Sequence, residues 1–351
     1  MKHIEEVHFI EARSPGAHVF SAFPIPRLGT ILLATILKAR GYRTRVYIED
    51  VARPDWAALE KADVVGISST TSTAPRAYAL ADGFRARGKT VIMGGPHPTF
   101  VADEALRHAD YVVRGEGEET IVRLLDSLRQ GAPLDGIDGL SYNTPAGPVH
   151  NPPRGLIQDL DGYPAPDFSL VHGWKRRPVI PIATSRGCPF DCKFCSVIKM
   201  FGRRYRFKSV ERVLSEIPAS ANGRRPFVFF VDDNFTANRD RTRELLSRMI
   251  ESGRKIEWSA QVRSDAAGDP ELLRLMKDSG CRTVYIGFES INPLTLKAFR
   301  KKQGVEDIVR AVRAFKSHGI RIHGMFVLGA DTDDLGVVSA TGRFARDAGI
   351  D

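Results

Sequence analysis

Apolar runs of strand length recur through the first part of the chain, each followed by a longer segment with helical spacing. VHFIEA (7–12), TRVYIE (44–49), DVVGIS (63–68), KTVIMG (89–94) and DYVVRG (110–115) predict short strands. Leu28–Arg40, Ala74–Arg87, Asp103–His108 and Glu118–Arg129 predict the helices between them. Such alternation predicts an α/β unit: a doubly wound parallel sheet with helices on both faces. Ligands on such sheets bind beyond the carboxyl ends of the strands. Here those ends carry SPG (14–16), SSTTST (68–73), GGPHPT (94–99) and GEGEE (115–119). Small, glycine-rich loops let backbone approach a large flat ligand closely.

The pattern breaks between about residues 131 and 178, where proline and glycine are frequent. LSYNTPAGPVH (140–150) predicts a hairpin turning around Thr144–Gly147, and DLDGYPAP (159–166) predicts extended chain. A second alternation follows, with strands at PVIPIAT (178–184), PFVFFV (226–231), KIEWSAQV (255–262), RTVYIGF (282–288) and IRIHGMFVL (320–328). Ser209 and Asn238 stand where they can cap helices, Asp269–Pro270 and Asn292–Pro293 open two more, and Asp334–Ala348 predicts the last. Each strand ends in polar residues: Ser185–Arg186, Asp232–Asp233–Asn234, Arg263–Ser264, Glu289–Ser290 and Asp331. A barrel of parallel strands would gather these on one rim, where such folds keep their chemistry. Helix capping is the plainer role for such carboxylates, but it does not account for Arg263.

Composition narrows the class. The chain has 351 residues, 42% hydrophobic and 26% charged, which suits two globular domains. There is no apolar run long enough to span a membrane, and the charged start MKHIEEVHFI is unlike a secretory signal. A cytoplasmic protein is expected. The net charge of +9 is partly concentrated around residues 193–208, with Lys175, Arg176 and Arg177 upstream. This is either a solvated basic face or a collar for an anionic ligand. No nucleic acid is expected, because no recognised binding motif accompanies it.

Three of the four cysteines fall in SRGCPFDCKFCSV (185–197), spaced Cys188-x3-Cys192-x2-Cys195. Four cysteines in a chain this long are no disulfide framework, and clustering points to metal or redox chemistry. Zinc commonly takes four ligands as two short-spaced pairs, and this loop is one ligand short. Three thiolates suit a [4Fe–4S] cluster with one iron left open. Cys281, distant and preceding an apolar strand, reads as a small buried hydrophobe.

The spacing, with the aromatic Phe194 before its last cysteine, resembles the signature of the radical S-adenosylmethionine (SAM) enzymes. With YVVRGEGEETI, GGPHPTF, NPPRGLIQDLDGYPAPDF and VDDNFT…GFES, the resemblance extends to cobalamin-binding radical SAM proteins and covers nearly the whole chain. It implies a Rossmann-like cobalamin domain followed by a partial (β/α)6 TIM-like radical SAM barrel. The expected boundaries are 1–135 for the cobalamin domain, 136–177 for a connector with the hairpin and 178–351 for the core. Five βα units are countable where the family usually has six, so a longer parent chain is expected.

The resemblance implies three cofactors: a [4Fe–4S] cluster on Cys188, Cys192 and Cys195, SAM, and cobalamin. In that family the open iron is chelated by SAM, and an electron from the cluster releases a 5′-deoxyadenosyl radical. Phe194, Asp232, Asp233, Asn234, Gln261, Arg263 and Glu289 are the candidate SAM contacts. Asp232–Asp233–Asn234 replaces the family's usual Gly-Gly-Glu-like turn. Arg263 suits the SAM carboxylate, and Gln261 and Glu289 suit its ribose or amino group; an ion pair with a rim arginine is the plainer role for Glu289. Cobalamin is expected along Ser68, Ser69, Thr70, Thr71, Gly94, Gly95, His97, Gly115 and Glu116. The usual axial-histidine motif D-x-H-x-x-G is absent, because Asp50–Val51–Ala52 has no histidine in place. His97 is expected to shape its loop or hydrogen-bond rather than ligate.

The implied activity is methyl transfer to an unactivated carbon of a small-molecule or lipid substrate, driven by an external flavodoxin- or ferredoxin-like electron donor. Cyclisation or rearrangement without methyl transfer is an alternative, and a non-catalytic corrinoid or redox sensor is another. A methylthiotransferase is excluded, since residues 1–187 lack the three further cysteines it would need.

Overall fold

The computed structural model describes residues 3–16, 25–174, 179–218 and 226–351, so Lys175, Arg176 and Arg177 lie outside the described residues. The chain divides into two compact units, Met1–Arg177 and Pro178–Asp351.

In the first unit, β1 (Glu6–Glu11), β2 (Arg43–Ile48), β3 (Val64–Ser68), β4 (Thr90–Gly94) and β5 (Tyr111–Val113) form a parallel sheet. A hairpin of β6 (Leu140–Thr144) and β7 (Gly147–His150) adds to it antiparallel, giving the order β2-β1-β3-β4-β5-β6-β7. Successive strand residues point to opposite faces, and both faces are buried. Val7, Val64 and Ile92 meet Ile31, Leu37, Ile121 and Leu125 of the helices Leu28–Ala39 and Glu118–Gln130. Their neighbours Val65, Val91 and Met93 face the other way, onto Ala77, Leu80 and Phe84 of Ala74–Ala86. The sheet is therefore doubly wound, and its order reverses between β1 and β3. The carboxyl ends of those strands flank the crevice in which such sheets bind ligands.

Residues beyond the hairpin are fastened to the same unit. Glu116 Oε2 accepts from the Ile157 amide at 2.7 Å, Asp167 pairs with Lys38 at 2.8 Å, and the Tyr163 hydroxyl donates to Glu119 at 3.0 Å.

The second unit holds β8 (Val179–Ile182), β9 (Ser185–Arg186), β10 (Arg206–Phe207), β11 (Phe227–Phe230), β12 (Glu257–Val262), β13 (Cys281–Glu289) and β14 (Arg321–Phe326). Strands β8, β11, β12, β13 and β14 lie parallel in chain order, the arrangement of a partial β/α barrel. One core joins their apolar face to the helices: Val228, Phe230, Trp258, Ile286 and Ile322 pack on Leu245, Leu272, Val312 and Phe315. The opposite face is partly open and carries Phe229, Gln261, Tyr285 and His323; the Tyr285 ring lies 5.3 Å from Phe229 and 4.8 Å from His323. The expected helix starts form: Ser209, Asn238, Asp269 and Asn292 each accept a first-turn amide.

The first predicted strand of this unit is shorter than expected. It ends at Ile182, and Ser185–Arg186 turns away to pair antiparallel with Arg206–Phe207. That ribbon closes residues 187–205, the cysteine loop included, into one excursion from the sheet.

Candidate active site

The cysteine loop stands at the carboxyl end of β8. The Cys188 amide donates to the Gly202 carbonyl at 3.3 Å and the Cys195 amide to the Cys192 carbonyl at 3.1 Å. All three thiols are partly exposed, whereas Cys281 is buried at the start of β13, as expected of a small hydrophobe. Burial pushes the Cys188 and Cys195 thiols up, and the Asp233 carboxylate and the neighbouring thiols add to the shift. Lys301 works against it at Cys195. The thiols thus lie close enough to repel one another as thiolates, and cationic iron would remove that penalty. Among the described residues, no three of His, Cys, Asp or Glu converge on a single ion position. A four-iron cluster does not require it, because each thiolate binds a different iron. The residues present fit the cluster.

Arg263, at the end of β12, is buried against this loop. Its Nη1 is 4.0 Å from Cys192 Sγ, its guanidinium lies 3.9 Å from the centre of the Phe190 ring, and its Nη2 donates to the Lys301 carbonyl at 3.0 Å. Glu289, at the end of β13, is buried and pairs with Lys301 Nζ at 2.7 Å. The ion pair foreseen for Glu289 is therefore present, with a lysine rather than an arginine.

The Asp232–Asn234 turn after β11 splits in two. Asp232 is buried and turned back onto β8: it accepts from the Thr184 amide at 3.0 Å, the Thr184 hydroxyl at 2.8 Å and the Ser185 hydroxyl. Burial raises its carboxyl above the ordinary range, opposed by those donors and by Arg241. Asn234 is also buried, and its carbonyl accepts from the Tyr205 hydroxyl. Asp233 alone reaches the solvent, yet enough protein surrounds it that burial, with Asp232 beside it, pushes its carboxyl up to about 6. Gln261 is half-buried beside it and donates to the Asp232 carbonyl at 3.4 Å. Phe194 is exposed and tilted against Phe299, with ring centres 5.0 Å apart.

Sequence reasoning missed Thr184, Tyr205, Arg241 and Lys301. The first three brace the Asp232 turn from the residues just past β8, from the one before β10 and from a helix, contacts with no sequence spacing to betray them. Lys301 sits in the run RKKQG (300–304), which reads as solvated charge.

In the first unit, the loops after β3 and β4 close on each other. The Ser69 amide donates to the Gly94 carbonyl and the His97 amide to the Ser69 carbonyl, both at 3.2 Å. Gly95 has φ 93°, and a Cβ there would stand 2.8 Å from Ser68 Oγ and 2.9 Å from the Ser69 carbonyl, so only glycine fits. His97 is spent within the unit: Nε2 meets the Tyr78 hydroxyl at 2.9 Å and Nδ1 meets Thr71 Oγ1 at 3.2 Å. Thr70 and Thr71 begin the turn that closes on Thr73, whose hydroxyl accepts from the Thr70 amide at 3.0 Å. Among the described residues, Ser69 Oγ is fully buried with no partner, an orphaned donor just past the end of β3. After β5, the Gly115 amide donates to Thr99 Oγ1 at 3.0 Å, and Glu116 anchors Ile157. Bare backbone and an unpaired hydroxyl at a switch-point crevice fit a large ligand such as a corrinoid.

Two domain models match the chain: the radical SAM superfamily over residues 182–336 and the B12 binding domain over residues 20–125. An uncharacterized methyltransferase of Pyrococcus horikoshii, PH0819, is 36% identical over 343 residues, covering 93% of this chain and 74% of the relative. The chain belongs to the cobalamin-binding radical SAM family. Another relative, bacteriochlorophyllide d C-12(1)-methyltransferase of Chlorobaculum tepidum, is 32% identical over 290 residues, covering 80% of this chain and 60% of that one. The chain thus spans between three fifths and three quarters of these relatives. The radical SAM methyltransferase TsrM of Kitasatospora setae, solved with cobalamin and a [4Fe–4S] cluster, shares the fold: TM-score 0.82 at 20% identity, over 99% of this chain and 74% of that one. The cysteine loop, Arg263, Glu289 and Lys301 fall within the radical SAM match, and the β3 and β4 loops within the B12-binding match. Among the described residues, no helix is long and apolar enough to cross a membrane.

Proposed function

We propose that this protein is a cobalamin-dependent radical SAM methyltransferase that adds a methyl group to an unactivated carbon of a small molecule or lipid. The observation that carries the reading is the three-cysteine loop seated at the strand ends with Arg263 against it. When bound, the cluster supplies the electron that cleaves SAM and the cobalamin carries the methyl group. Cys188, Cys192 and Cys195 would hold the cluster as thiolates. Arg263 supplies fixed positive charge beside Cys192, where it offsets the charge of thiolates and of a SAM carboxylate. Glu289 and Asp233 present carboxylates from the same rim to the SAM amino and ribose groups, and Gln261 adds an amide. Loops β3 and β4 of the first unit would hold the corrinoid by backbone and hydroxyl contacts, with no imidazole ligand.

The electron would come from an acidic flavodoxin- or ferredoxin-like carrier in the cytoplasm. Exposed Lys193, Lys199, Arg203 and Arg204 beside the cysteines support this. The test is anaerobic incubation with methyl-deuterated SAM, a chemical reductant and cell extract. Mass spectrometry is expected to find the deuterated methyl on a carbon of one product. Deoxyadenosine without any methylated product would point to ring closure instead.

A further inference from the structure

The segment 299–304 joins the helices Pro293–Ala298 and Val305–Ser317. Of its three successive cations, Arg300 and Lys302 are exposed, but Lys301 is only 7% exposed. Its two neighbours adopt left-handed backbone, with φ 54° at Arg300 and 53° at Lys302, rare for residues with a side chain. Lys301 between them is buried against Glu289, which is itself left-handed at φ 67°. This ion pair lies over the bare backbone of Gly287. A Cβ there would stand 2.1 Å from Glu289 Oε1 and 3.1 Å from Lys301 Nζ. The same segment fastens the rest of the rim. The Phe299 carbonyl accepts from the Lys193 amide of the cysteine loop at 3.1 Å, and the Lys301 carbonyl accepts from Arg263. Gln303 accepts from Ser264 at 2.6 Å and donates to the Phe288 carbonyl at 2.8 Å.

A buried ion pair is a weak source of stability, because desolvation cancels much of the attraction. Three left-handed residues around one pair add strain, and strain of this kind collects at functional sites. We propose that Lys301 is a positioning residue of the SAM site. Its ammonium holds Glu289 by Oε1 at the end of β13, leaving Oε2, which has no partner among the described residues, to accept from an amino or hydroxyl group of SAM. This rests on the radical SAM reading above.

The test is equilibrium binding of SAM to the anaerobically reconstituted protein, with iron content measured in parallel. Lys301→Met is expected to keep its iron and to bind SAM about tenfold more weakly or worse, the usual effect of removing a group that orients a ligand. Lys301→Arg should recover part of the loss. Lys301→Met alone strands a buried carboxylate, so Lys301→Met with Glu289→Gln provides the folded control. If Lys301 acts through Glu289, that double variant binds SAM no more weakly than Glu289→Gln alone. Wild-type affinity in Lys301→Met or the double variant, or losses that simply multiply, would overturn the proposal. Failure of the unaltered protein to take up iron or bind SAM would instead overturn the radical SAM reading, and this proposal with it.

Discussion

Asp232 looks on paper like a cofactor contact, since it follows a strand of the barrel and precedes two more polar residues. In the fold it is a brace. One backbone amide and two hydroxyls converge on a carboxyl sealed from water. Removing it would leave those three donors unsatisfied, at a cost of roughly 3 kcal/mol. Asp232→Ala is therefore expected to lower the urea unfolding free energy by about that amount, and Asp232→Asn by less, because an amide oxygen still accepts. A loss below about 0.5 kcal/mol, the size of an ordinary surface change, would show that the turn is braced from elsewhere. Asp233, one residue on, is the member of the trio that reaches solvent. Sequence could name the trio but could not sort it, because neighbouring residues diverge only once the turn is built.

At the scale of elements, the loops after β3 and β4 explain what became of the missing histidine motif. His97 stands in the loop after β4, but its ring nitrogens face Tyr78 and Thr71 and tie that loop to its neighbours. Cobalamin bound to this protein is thus expected to lack a protein imidazole. Electron paramagnetic resonance of the cob(II)alamin form should show no nitrogen superhyperfine splitting from the protein, and such splitting would contradict the assignment. The elements themselves were legible. Strand runs, helix caps at Ser209, Asn238, Asp269 and Asn292, and the hairpin around Thr144–Gly147 all follow from local patterning that burial reinforces. Two features were not. The β9–β10 ribbon has only two residues per strand, too few to display a period. Lys301 lies in a cationic run whose two other members are solvated, so only its left-handed neighbours separate it from them.

At the scale of the molecule, the chain is two α/β units that differ in how they cover their sheets. The first buries both faces under helices and reverses its strand order between β1 and β3. The second covers one face and leaves the other partly open, with aromatic and polar side chains on it and a rim of Cys188, Cys192, Cys195, Arg263, Asp233 and Glu289 at the strand ends. This rim is expected to hold a cluster that cleaves SAM. The direct measurement is deoxyadenosine formed from SAM by the reconstituted, reduced protein, compared across four single cysteine-to-alanine variants with iron counted in each. Cys188→Ala, Cys192→Ala and Cys195→Ala are expected to form none, while Cys281→Ala keeps its iron and its activity. Loss of iron in Cys281→Ala, or deoxyadenosine from any of the other three, would show that these cysteines do not hold the cluster.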